Sequence, residues 1–152
     1  MKFSQMPYER PDIEQAGREV QSCIDALQNA AGFAEADAAF QRLDKLADHI
    51  QTQFTLAQIR HEIDTNDAFY DAEASFIDEN GPILQEYYQK WHLALKDSPF
   101  RPDFEKKYGD LLFRNIEISL RAFSPEIIGE LQRENALTTE YQKLIASAQI
   151  PF

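Results

Sequence analysis

The sequence predicts an all-α protein: an elongated antiparallel bundle of five or six helices, two of them long. Three observations carry that expectation. Apolar residues recur at spacings of three and four along most of the chain. Only 5 Gly and 7 Pro are present, and the prolines cluster at candidate element ends. No strand-type alternation, internal repeat or low-complexity tract stands out. At 152 residues the chain suits one helical domain spanning 1–152, with a core built around 11 Phe, 6 Tyr and 1 Trp.

Residues 1–11 read as an extended arm, because Pro7 and Pro11 restrict the backbone on either side of Tyr8. Asp12 is placed to cap the first helix, whose stripe is Ile13, Ala16, Val20, Cys23, Ile24, Leu27 and Ala31. Gly32 fits its C-terminus. A second helix is expected from near Ala34 through Phe40, Leu43, Ile50, Phe54 and Ala57 to Ile63. That is roughly thirty residues, or about 45 Å at 1.5 Å per residue.

Thr65-Asn66-Asp67 supplies cap-type residues, and Phe69, Ala72, Phe76 and Ile77 resume the helical stripe. Asn80-Gly81-Pro82 is the strongest breaker in the chain. It either separates two helices or kinks one, since Pro82 has no N–H to donate. Ile83, Leu84, Tyr87, Tyr88, Trp91 and Leu95 then form a wide apolar face. The run 97–102 is a connection, with Asp103 as the next cap. Phe104 to Phe123 carries another helix, which Gly109 weakens by up to about 1 kcal/mol relative to Ala.

Ser124-Pro125-Glu126 is a helix start, with Ser at the cap and Pro at the first position. The last helix runs from Pro125 towards Ala148 through Ile127, Leu131, Leu137, Tyr141, Leu144 and Ile145, with a possible restart at 135–137. The apolar end Gln149-Ile150-Pro151-Phe152 reads as a chain cut at the first residues of another element.

A formal charge of -11 repels phosphate backbones, and no cluster of Lys and Arg reverses it locally. Nucleic acid is therefore not an expected partner. No apolar run approaches the roughly 18 residues a spanning helix needs, and the start has no signal-peptide core. A cytoplasmic protein without a membrane partner is the expectation. Cys23 is the only cysteine, and its apolar neighbours mark it as a buried small hydrophobe.

A search for catalytic residues finds none. His49, His61 and His92 begin no His-Glu-x-x-His motif. The residues three before them are Leu46, Gln58 and Gln89, so the Glu-x-x-His pairs of di-iron bundles are missing too. Asp64, Asp67 and Asp71 lie three and four apart, which would line them up on one helical face. They read as a cation site or as caps and solvated surface. Tyr87-Tyr88-x-x-Trp91-His92 reads as core or as a pocket lining. No residue is assigned a catalytic, cofactor-binding or metal-binding role.

Three stretches carry a resemblance to a known family: 59–70 (IRHEIDTNDAFY), 123–128 (FSPEII) and 141–148 (YQKLIASA). In order and spacing they resemble the N-terminal part of oligoendopeptidase F-like enzymes, of the thimet-oligopeptidase group of zinc metallopeptidases. Phe3 to Arg10 also looks like the start of such enzymes. The resemblance implies an all-helical enzyme with a deep channel, one wall of which these helices form. It implies hydrolysis of short peptides by a zinc-bound water. The zinc-binding His-Glu-x-x-His helix and a third, glutamate ligand lie downstream of the matching region in that family, and no position here matches them. The expected part is thus a non-catalytic wall segment whose partner is the missing catalytic segment. The alternative is a stand-alone interaction module that hides its apolar surface in a homodimer.

Overall fold

A computed structural model describes residues 3–148. They form six α-helices: α1 (Ile13–Gln28), α2 (Phe33–Ile63), α3 (Ala68–Lys96), α4 (Arg101–Tyr108), α5 (Leu111–Ala122) and α6 (Ile128–Ser147). Among the described residues there is no strand. The expected all-α bundle is therefore observed, and its two long members are α2 (31 residues) and α3 (29 residues). The expectation about the apolar end at 149–152 lies outside the described residues.

α3 is the hub, packing against α1, α2, α5 and α6, while α1 also packs on α2. The stripe read from the sequence is the buried face of α1: Ile13, Ala16, Val20, Cys23, Ile24 and Leu27 are all buried. Val20, Cys23, Ile24 and Leu27 meet Leu43, Trp91, Leu95, Phe104, Phe113 and Ile116 in one core cluster, while Ile13 and Ala16 belong to another. A second cluster around Ile50, Phe54, Ile77 and Leu84 fills the other end. Gly17 lets α1 approach α3 closely, because a Cβ there would lie 2.7 Å from the Tyr87 ring. Cys23 is buried as expected, and its Sγ accepts a hydrogen bond from Arg42 Nε at 3.1 Å.

The boundaries depart from the sequence reading at four places. α1 ends at Gln28, and Gly32 stands before α2 rather than after α1. The Asn29 side chain donates to the Asp25 carbonyl at 2.8 Å and closes the helix there. Asp103 does not cap α4. Its helix starts at Arg101, and the buried Ser98 hydroxyl instead accepts from the Phe100 N–H at 3.2 Å.

Gly109 does more than weaken one helix: it ends α4, and α5 begins at Leu111. Its φ of 86° and ψ of 160° belong to a region that side chains with a Cβ rarely enter. Ser124 makes no side-chain cap either, and Pro125–Ile127 form a 3-10 turn ahead of α6.

Asn80-Gly81-Pro82 neither ends nor splits α3, which is continuous across it. Pro82 is buried inside the helix and cannot donate to the carbonyl of Asp78. That carbonyl is taken up from outside. Asn135 of α6 donates its side-chain amide to it at 3.3 Å, and Gln132 donates to the next carbonyl, Glu79, at 2.6 Å. The helix tolerates its proline because a neighbour supplies the missing donor to the Asp78 carbonyl and adds one to Glu79.

α6 differs from the other long helices. Its expected apolar residues do not enter the core, and none of its 20 residues is buried. It runs as one helix with no restart at 135–137.

Candidate functional site

The joint between α2 and α3 is where the acidic stretch singled out in the sequence folds. Asp64 follows the last turn of α2, and its Oδ1 accepts from the Asn66 N–H at 3.0 Å. Asp67 is the N-cap of α3, accepting from the N–H groups of Phe69 at 2.9 Å and Tyr70 at 3.3 Å. Asp67 is thus a cap, as its residue type suggests, while the Asp64 side chain closes an Asx turn in the linker.

Asp71 has a different task. It forms an ion pair with Lys143 of α6, and its Oδ1 lies 3.3 Å from Nε2 of the buried His61. The Lys143 ammonium holds the Asp71 carboxyl below its ordinary value, against the opposing effect of burial, with His61 assisting. The three carboxylates are therefore not gathered into one face. Among the described residues no group of three or more His, Cys, Asp or Glu is arranged to hold a metal ion.

Beside His61 a cavity of about 370 Å³ opens between α2, α3 and α6. Glu62, Asp78 and Glu134 supply carboxylates to its lining, and Asn135 and Thr139 supply polar groups. Thr139 donates to Asp78 Oδ2 at 2.7 Å. Burial pushes the Asp78 carboxyl above its ordinary value, and the Thr139 bond only partly offsets this.

The N-terminal arm closes the same end of the bundle. Glu73, 2% exposed, accepts from Tyr8 Oη at 2.5 Å and from Arg10 at 2.5 Å (Nη2) and 2.9 Å (Nε). The Arg10 guanidinium keeps the Glu73 carboxyl below its usual range despite burial, and the Tyr8 hydroxyl helps. Arg10 also lies over the Phe76 ring, 4.7 Å from its centroid. Arg60 holds the start of the arm, donating to the Met6 carbonyl at 2.6 Å and to Tyr70 Oη at 2.8 Å. The stretch 59–73 is thus a fastening point for the arm, α2, α3 and α6, and its polar groups are occupied with holding them.

The aromatic run of α3 divides between the two readings given for it. Trp91 is core. Tyr88 and His92 line a 250 Å³ apolar cavity facing Phe40 of α2 and Leu112 and Ile116 of α5. Burial pushes Tyr88 up to about 12 and lowers His92, whose Nδ1 lies 3.1 Å from Ser119 Oγ. No nucleophile, general base and orienting group come together there.

Sequence reasoning missed Glu73, Asp78 and Lys143 as partners. A carboxylate at an otherwise apolar position of α3 was the one available signal for Glu73. Nothing local to Lys143 points to a residue 72 positions earlier, such as Asp71.

Among the described residues no helix is long and apolar enough to cross a membrane. No curated protein sequence matches the chain. Solved structures do. An oligoendopeptidase F determined by X-ray diffraction at 3.1 Å is 42% identical, with a TM-score of 0.96 over 100% of this chain and 27% of that one. PZ peptidase A, solved with an inhibitor, is also 42% identical, with a TM-score of 0.96 over 99% of this chain and 27% of its own. An oligoendopeptidase F from Bacillus anthracis str. Ames is 37% identical, with a TM-score of 0.97 over 100% and 28%.

The chain therefore spans little more than a quarter of the length of the enzymes it superposes on. The family model for the peptidase M3 N-terminal domain matches residues 3–123, from the arm to the end of α5. On that match the chain belongs to the peptidase M3 N-terminal domain family.

Proposed function

We propose that this chain is the N-terminal helical wall of an oligoendopeptidase F-like metallopeptidase, a part that shapes the substrate channel and supplies no catalytic group. The observation that carries this reading is the superposition. The whole chain fits about 27% of an oligoendopeptidase F at a TM-score of 0.96. The substrates would be short peptides, with access limited by long, stiff helices. α2, at 31 residues, gives a wall of about 46 Å.

Zinc belongs to the complete enzyme in this reading, and the residues present do not fit it. His49 and His61 sit twelve residues apart on α2, and His92 sits on α3 with its Nδ1 at Ser119. His61 faces Asp71, which Lys143 already neutralises. None belongs to a His-Glu-x-x-His pair, so no ligand set for a hydrolytic zinc can be drawn from them. We place the enzyme in the cytoplasm, a setting that the single buried, unpaired cysteine supports.

The test is direct. The purified chain should hold no stoichiometric zinc and should not cleave an internally quenched short peptide. Tight one-to-one zinc together with turnover would overturn the reading. Light scattering separates it from the stand-alone module, which requires a stable homodimer.

A further inference from the structure

α6 is amphipathic the wrong way round for a helix that completes a single domain. Gln132, Asn135, Thr139 and Lys143 hold it to α3, bonding to the Glu79 carbonyl, the Asp78 carbonyl, the Asp78 carboxylate and Asp71. At about 100° per residue these four fall on one side of the helix. Leu137, Tyr141, Leu144 and Ile145 fall on the opposite side, and they are 57–68% exposed. A helix in a lone globular domain turns its apolar stripe to the core and its polar face to water. Here polar residues meet the protein, and in the second half of the helix the apolar residues meet solvent, after a first half whose outer side carries Glu130, Arg133 and Glu134.

We infer that the Leu137–Tyr141–Leu144–Ile145 face of α6 is a seam, built to be covered by the chain that follows this segment in a peptidase of this family. The inference rests on the proposed place of the chain within a larger enzyme. Two findings commit the face to that occupant. The family model for the N-terminal domain ends at residue 123, before α6 begins, whereas the superposition on longer enzymes includes α6. α6 therefore stands outside the N-terminal unit proper, in the position of a helix shared with what comes next. Those enzymes also carry nearly three quarters of their length outside the matched part.

Area argues against a second copy as the occupant. Four side chains exposed to this degree offer on the order of 500 Å². A standard interface needs about 800 Å² from each partner, and two free chains must also repay their lost translational and rotational freedom. A segment joined through the same chain pays little of that cost, so a patch of this size suffices. The polar face then has a defined purpose. Through the Asp78 carbonyl, which Pro82 leaves without its usual intrahelical donor, and the neighbouring Glu79 carbonyl, it fixes the rotation of α6 so that the apolar face points away from the bundle.

The experiment replaces the matching N-terminal quarter of PZ peptidase A with this chain and compares the chimera with the chain alone by amide hydrogen exchange. Amides of 137–145 should exchange at least about tenfold more slowly in the chimera, and Leu144→Glu with Tyr141→Glu should abolish that protection. In the chain alone the same substitutions should leave Tm within about 1 °C, since these side chains are exposed there. Equal exchange in both contexts would overturn the inference. So would a dimer of the free chain that Leu144→Glu dissolves, or a fall in Tm of more than about 3 °C in the free chain. Peptide turnover by the chimera is read separately. Turnover without protection of α6 sinks the seam and leaves the wall standing, and protection without turnover does the reverse. A chimera that does not fold contradicts the proposed wall, and the free-chain Tm and oligomeric state then decide the seam.

Discussion

Removing the donors that α6 lends to α3 should destabilise the protein by an amount that depends on Pro82. Asn135→Leu deletes a side-chain donor to the Asp78 carbonyl, which Pro82 deprives of its usual intrahelical partner. The bond is long at 3.3 Å and part-buried, which places its worth near the middle of the ordinary range, about 1 kcal/mol. For a chain of 152 residues that is a fall of about 2–4 °C in Tm.

Pro82→Ala restores an N–H that can bond the same carbonyl along the helix, and relieves a proline penalty of up to about 3 kcal/mol. Part of that gain is lost because the buried proline ring is replaced by a methyl group. In the Pro82→Ala background, Asn135→Leu should then cost close to nothing. The double-mutant cycle should return a coupling near 1 kcal/mol, measured by urea denaturation of the four proteins. Hydrogen exchange should show the single Asn135→Leu variant loosening α6 before the rest of the bundle. Additive effects within about 0.3 kcal/mol would refute the idea that α6 repairs the proline gap.

Glu73→Gln should cost about 2 kcal/mol, because a buried acceptor of charge-assisted bonds from Arg10 loses its charge. The figure stays below that for a fully buried pair since Arg10 is half-exposed, and limited proteolysis should show the arm released. The acid limb of the stability curve has a definite sign. Glu73 and Asp71 are held below their ordinary values, so their contribution is complete above about pH 4.5 and disappears as pH falls through their folded values. Glu73→Gln should flatten that limb in melts taken between about pH 2 and 5. Gly17→Ala should lower Tm despite better helix propensity, because its Cβ collides with the Tyr87 ring at 2.7 Å, and Tyr87→Leu should rescue it. Gly109→Ala should destabilise by about 1–2 kcal/mol through its positive φ alone, since the position is otherwise open.

Much of the fold could be read from the sequence because it is written locally. The stripe of α1 fixes its buried face, and Asp12 and Asp67 cap the helices they precede. The length of α2 followed from thirty residues without a Gly or Pro. What could not be read depends on partners distant in the chain. Whether Pro82 breaks α3 is decided 50 and 53 residues later, at Gln132 and Asn135. Gly109 and Ser98 decide helix ends through φ and a side-chain bond that no periodicity reports.

α6 misled the sequence reading most. An apolar stripe says that a face is to be covered, and among the described residues nothing covers it. The joint at 59–73 was legible as a cap at Asp67 and a turn at Asp64, but not as a fastening point, because Arg10 and Lys143 reach it from opposite ends of the chain. The family was legible from short stretches that have no catalytic chemistry of their own. The comparisons support them across the whole chain.

In the proposed reading this chain supplies a wall to a peptidase whose catalytic residues lie elsewhere. This is tested most directly by turnover of an internally quenched short peptide in three preparations: this chain alone, PZ peptidase A lacking its matching quarter, and the chimera that joins them. Cleavage by the chimera, and none by either part, is expected. Cleavage by this chain alone, or cleavage by the shortened enzyme equal to that of the chimera, would contradict it.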